Sequence, residues 1–180
     1  RYGTVTGVQT CALPIFGALV RRAHPQRARD AFDHAVADPD AQVRLAAARL
    51  ATNPRLTCDD TLVGAVLRLA HDDDDLVAEQ ACFALGELVA PDDTAAPQVL
   101  ATLTNSVFNH SDPLVREAAV AALGSIAHED GRDAVLHACT DKPAIRRRAV
   151  LALGVFGGPE VDAALHRALE DRDWQVRQAA

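Results

Sequence analysis

The sequence predicts an all-α fold, a solenoid of stacked antiparallel helix pairs. Three observations predict it. One short pattern returns five times along the chain. Within each copy, apolar residues fall at i, i+4 and i+8, which is one stripe of a helix, and no stretch alternates with period two for long. Aromatics make up only 4% of the residues while alanine is abundant, a composition suited to helices packed at close range.

The copies read DPDAQVRLAAARL from Asp38, DDDDLVAEQACFALG from Asp72, SDPLVREAAVAALG from Ser111, DKPAIRRRAVLALG from Asp141 and DRDWQVRQAA from Asp171. Anchored on Val43, Val77, Val115, Ile145 and Val176, they lie 34, 38, 30 and 31 residues apart, the spacing of a repeat architecture. Four positions after each anchor stands an alanine: Ala47, Ala81, Ala119, Ala149 and Ala180. Leu85, Leu123 and Leu153 follow eight after the anchor in the middle three units, each with a glycine behind it. The first unit departs there, with Ala51 and Thr52.

Each copy is the second helix of a pair, and a first helix precedes it. Ala28, Ala31, Phe32 and Ala35 make the stripe of the first. Leu62, Val66 and Leu69 make the next, then Val99, Leu103 and Val107, and Val161, Leu165 and Leu169. Asp133 to Cys139 is a shorter version. Asp40, Asp74, Asp112 and Asp173 sit three before their anchors, where a carboxylate caps free helix N–H groups and stabilises by about 1 kcal/mol. Pro113 and Pro143 fall at the first helical position, where a missing N–H costs nothing. The fourth unit has Lys142 in the cap position, so its cap is predicted to be weak.

These units resemble HEAT repeats of the form described as PBS-lyase HEAT-like. The resemblance rests on the turn Asp, the pairs Val43-Arg44, Val115-Arg116, Ile145-Arg146 and Val176-Arg177, the following Ala and the Leu-Gly end. It runs from about Gln26 to Ala180, and unit two departs from it, with Ala78 in place of the Arg. It implies that first helices form the convex side of a superhelix and second helices line the concave side. It also implies that the turn Asp and the Arg make ladders between neighbouring units. Asp40, Arg44, Asp74, Asp112, Arg116, Arg146, Asp173 and Arg177 are the ladder candidates.

The opening residues stand apart. Val5 to Ile15 match, without a mismatch, the in-frame translation of a common DNA-sequencing adapter. Residues 1–16 are therefore expected to be adapter-derived and outside the fold. Residues 17–180 are expected to hold about five units, the last truncated, from the interior of a longer array.

Chemistry is hard to find in this sequence. The di-iron deoxyhypusine hydroxylases, which are HEAT-like, place His-Glu pairs at the start of second helices. Here the one such pair, His128-Glu129, lies after a second helix, and the start positions hold other residues. His34 and His137 fall on a polar face of first helices, and His24, His71 and His110 in or near turns. His166 has no ligand neighbour in sequence. Cys58, Cys82 and Cys139 are widely spaced and form no C-x-x-C, which points to a reducing, cytoplasmic setting and away from a disulfide or zinc framework. Cys82 and Cys139 lie among apolar residues, where an inert thiol is expected. Gly157-Gly158-Pro159 is a turn and not a phosphate loop. No cofactor is expected.

Charge narrows the partners. The net charge of −7 opposes phosphate binding. Arg146, Arg147 and Arg148 do not form one patch, because consecutive helix residues turn about 100° each. Trp174 reads as a helix-start residue. No apolar run approaches the roughly 20 residues that span a bilayer. Residues 57–130 carry 14 acidic and 2 basic side chains. This belt either keeps an alanine-rich array soluble or attracts a basic partner segment. The expected function is a non-catalytic protein–protein interaction scaffold, binding a protein or peptide on its concave second-helix surface through Glu79, Phe83, Glu117 and Arg147. Neither nucleic acid nor membrane is an expected partner. The alternative is a bilin-lyase-like accessory protein acting on a chromophore-carrying or modified partner, and an enzyme with its own active site ranks third.

Overall fold

A computed structural model describes residues 17–18, 24–93 and 96–180. The adapter-like stretch lies outside the described residues. Among those described, ten α-helices form five consecutive pairs. The first helices are α1 (Pro25–Val36), α3 (Asp60–Leu69), α5 (Ala96–Asn109), α7 (Arg132–Ala138) and α9 (Pro159–Leu169). The second helices are α2 (Ala41–Leu50), α4 (Asp75–Leu88), α6 (Pro113–Ile126), α8 (Pro143–Leu153) and α10 (Trp174–Ala179). A short 3₁₀ turn, Glu129–Gly131, leads into α7.

The pairs start where their caps permit. Asp40, Asp74, Asp112 and Asp173 each accept a hydrogen bond from the amide two residues on, at 2.9, 3.0, 2.7 and 2.9 Å. Lys142 makes no side-chain cap bond, and its own amide donates to Asp141 instead, at 2.7 Å. Pro113 and Pro143 are the first residues of their helices.

One continuous core runs through the stack. The anchors Val77, Val115, Ile145 and Val176 are buried, with Val43 half-buried, and Ala47, Ala81, Ala119 and Ala149 are buried completely. The first-helix stripes of α1, α3 and α5 face this core, with Ala31 half-buried. The α9 stripe departs from the expected one. Val161 is buried and Leu165 half-buried, but Leu169 is exposed at the helix end. Ala168 takes the inward place, against Val150 and Val176.

The Leu-Gly ends have a packing reason. A Cβ on Gly86 would lie 2.6 Å from Cα of Ala122, and one on Gly124 would lie 2.7 Å from Cβ of Ala152. Real Cβ atoms do not come that close, so glycine is what lets α4 approach α6, and α6 approach α8. Successive second helices consequently touch along more of their length than successive first helices do.

Candidate functional site

The second helices carry the features that bear on function. In α2, α6 and α8 the turn is followed by an arginine that acts as a fork. Nε and Nη2 of Arg44 donate to the two carboxylate oxygens of Asp72 in the next unit, at 2.6 and 2.8 Å. Its Nη1 donates to the carbonyls of Asp38 and Pro39 in its own turn. Arg116 repeats this with Asp141 at 2.7 and 3.1 Å, and with the His110 and Ser111 carbonyls. Arg146 does so with Asp171, at 2.8 Å on both arms, and with the Asp141 carbonyl. Arg177 makes the carbonyl half, to Asp171 and Arg172. Planar two-armed pairs of this kind are strong for ion pairs because guanidinium and carboxylate match in shape. Each arginine holds its carboxylate below the ordinary range: Asp72 by Arg44, Asp141 by Arg116 and Asp171 by Arg146.

The carboxylate side of this ladder differs from the one expected. Asp40, Asp74, Asp112 and Asp173 cap their own helices and do not receive these arginines. The partners are Asp72, Asp141 and Asp171. The reason lies in the direction of each side chain. A cap carboxylate turns along its own helix toward the free amides. Asp72 and Asp171 stand two residues earlier, at the outer edge of the turn, and face the preceding unit. Each also accepts the amide of the cap residue, Asp74 at 3.0 Å and Asp173 at 2.8 Å. A sequence signal existed in the spacing Asp38-Pro-Asp40, Asp72-Asp-Asp74 and Asp171-Arg-Asp173.

The four partner-contact candidates share one helix face. Leu76, Glu79 and Phe83 fall at i, i+3 and i+7 on α4. Leu114 and Glu117 hold the first two of those places on α6, and Arg147 and Leu151 the last two on α8, so repeat by repeat they form one row. Phe83 is half-buried against the core. Glu79 and Glu117 are also half-buried. Burial pushes the Glu79 carboxyl above its ordinary value, and the charges of Asp112 and Glu117 push the same way, against Arg49. Glu117 lies 3.5 Å from Arg148. Arg147 and Leu151 line a shallow groove of about 280 Å³ with Gln175 and Gln178. Sequence reasoning missed the apolar members of the row. Leu76, Leu114 and Leu151 are 49%, 50% and 55% exposed. An apolar residue just before the anchor in units two and three was the available clue.

Elsewhere the side chains are chemically quiet. Burial pushes the thiols of Cys82 and Cys139 up to about 12 and about 11, which keeps both in the neutral, weakly nucleophilic form. Among the described residues, no group of three or more His, Cys, Asp or Glu is placed to hold a metal ion. Among the same residues, no helix is long and apolar enough to cross a membrane. Trp174 is 60% exposed as the first residue of α10, and Arg146 is buried in its pair with Asp171.

Comparison with known proteins agrees with this geometry. The family model for HEAT repeats matches residues 100–180. No curated protein matches the chain. Among solved structures, a designed armadillo repeat protein superposes with a TM-score of 0.61 at 15% identity, over 98% of this chain and 92% of that one. That likeness concerns the fold alone. Human deoxyhypusine hydroxylase in complex with glycerol matches at a TM-score of 0.32 and 16% identity, over 96% of this chain and 95% of that one. Its likeness is too distant to bear on function.

Proposed function

We propose that this chain, a HEAT-repeat protein, is a non-catalytic scaffold whose second-helix face receives a protein or peptide partner. One observation carries the reading: Leu76, Leu114 and Leu151 stand exposed in the same row as Glu79, Phe83, Glu117 and Arg147. Apolar anchors beside charged side chains, without a reactive group among them, suit recognition and not bond-making. The concave placement of this row is supported by the closer approach of second helices than of first helices, since the side with the shorter spacing is the inside of a curve. The ladder arginines serve to hold units together.

The partner segment is basic where it crosses units two and three, a reading supported by the excess of acidic over basic residues between 57 and 130. The free thiols of Cys58, Cys82 and Cys139, among the described residues, support a reducing, cytoplasmic setting. The test is a pulldown with the full chain against a variant carrying Glu79→Ala, Phe83→Ala, Glu117→Ala and Arg147→Ala. A variant changed on exposed first-helix positions, Arg68→Ala and His166→Ala, serves as the control. Loss of a bound protein from the first variant alone is expected. Equal retention by all three would overturn the reading, and binding that ignores salt would remove its electrostatic part.

A further inference from the structure

Three of the four junctions between described units are pinned at the turn edge by an Arg–Asp fork, and the fourth is not. At the junction of units two and three, both halves of the fork are replaced together. Ala78 stands where Arg44, Arg116 and Arg146 stand in their units, and His110 stands five before its anchor, where Asp72 and Asp171 stand, with Asp141 one place later in its unit. The Nδ1 of His110 still accepts the amide of the cap residue Asp112, at 3.2 Å. It thus keeps the turn-forming half of the aspartate's work and lacks its negative charge.

Three further features fall on the same junction. A cavity of about 200 Å³ opens at its turn edge, lined by His71, Asp72, Asn105, Asn109 and His110 among others. Glu79 of α4 has like charges across the junction, from Asp112 and Glu117. At the opposite end of the same helices, Gly86 brings α4 against Ala122 of α6, the tightest glycine contact described. Between α4 and α6 the packing is the most extensive of any described helix pair, whereas α3 and α5 scarcely touch. The looseness is therefore confined to the turn edge at the ends of α3 and α5, with no fork, a void and like charges nearby.

From this arrangement we infer that the array flexes at the junction of units two and three, pivoting on the close α4–α6 contact and opening where the ends of α3 and α5 meet beside His71 and His110. The motion changes the separation of Leu76 from Leu114 and of Glu79 from Glu117, so it adjusts the spacing of the exposed row. Units three, four and five move as one block, held by the Arg116–Asp141 and Arg146–Asp171 forks. The inference does not depend on what the row binds.

Spin-label distance measurements on the full chain test it, in a background with Cys11, Cys58 and Cys139 replaced by Ser. His71→Cys with Asn109→Cys reports the unpinned junction. Asn109→Cys with Thr140→Cys, the latter just before Asp141 as His71 is just before Asp72, reports the pinned one. The first distance distribution is expected to be about twice as wide as the second, in the manner of locally unequal stability. Adding Ala78→Arg and His110→Asp is expected to install the missing fork and narrow the first distribution to the width of the second. Equal widths in the parent chain would overturn the hinge. So would an unchanged width in a double variant whose circular dichroism matches the parent. If the double variant does not fold, the comparison within the parent chain decides alone.

Discussion

The junction of units three and four and the junction of units two and three are built from the same repeat but hold together differently. The first has Arg116 on Asp141 at the turn edge and Gly124 against Ala152 further along. The second has Gly86 against Ala122 and, with Ala78 and His110 in the fork positions, no Arg–Asp fork across its edge. A repeat motif thus fixes the helix pair and its apolar stripe, while the way one pair is fastened to the next varies from place to place. Stability in such arrays is approximately a sum of unit terms and neighbour terms, so the two junctions should respond to different perturbations.

The largest expected effect falls on the ionic junctions. Arg146→Ala leaves Asp171 half-buried beside a vacancy, and is expected to cost about 3 kcal/mol in urea unfolding. Arg29→Ala, whose partner Asp59 is 46% exposed, should cost about 1 kcal/mol. An equal cost for the two would mean that burial does not set the strength of these pairs.

Next comes the apolar junction. Gly86→Ala forces its Cβ onto the backbone of Ala122 and should cost about 2 kcal/mol. Gly124→Ala should cost less, because its nearest conflict is with the Ala152 side chain. Gly64→Ala meets nothing within 4 Å and lies inside a helix, so it should gain about 0.5–1 kcal/mol. Thermal midpoints of the three variants should therefore spread in that order, and a stabilising Gly86→Ala would show that α4 and α6 have room to separate.

Caps come third. Asp112→Ala should cost about 1 kcal/mol, and Lys142→Asp should gain less than that, since the amide of Lys142 already uses Asp141.

Acid separates the two junctions by sign, with the smallest amplitude. Asp72, Asp141 and Asp171 have folded-state pKa values lowered by their arginines. Their contribution is complete above the unfolded value of about 3.9 and is lost as pH falls through the lower folded values. Asp59 behaves in the same way, with Thr61, Leu62 and Arg29 holding it at about 2. Glu79 is shifted the other way. Its ionised form is a small penalty at neutral pH, and that penalty disappears as pH falls through its raised value. Glu79→Gln should therefore stabilise slightly at pH 7, by less than about 0.5 kcal/mol, and have no effect at pH 4. A gain that persists at pH 4 would trace the effect to something other than charge.

Much of this was readable in advance because it repeats. The anchors, the alanines behind them, the stripes of the first three first helices and the cap aspartates each recur at a fixed offset, and periodic burial leaves a periodic signature. The stripe of α9 was misread at Leu169 alone, because Leu169 satisfies the period as well as Ala168 does. Contact of Ala168 with Val150 and Val176 chose between the two. On the candidate face, the sequence pointed to Glu79, Phe83, Glu117 and Arg147. It passed over Leu76, Leu114 and Leu151, because an apolar residue at a helix surface looks like core until its neighbours are known.

The amino-acid sequence by itself determined the helix pairs, their caps and their order along the chain, since these depend on residues a few positions apart. The tertiary structure decided which carboxylate each arginine grips, which glycine faces another backbone and which leucines stay uncovered. Those outcomes depend on how one unit lies against the next, about 30 residues away along the chain, and no local pattern encodes that distance.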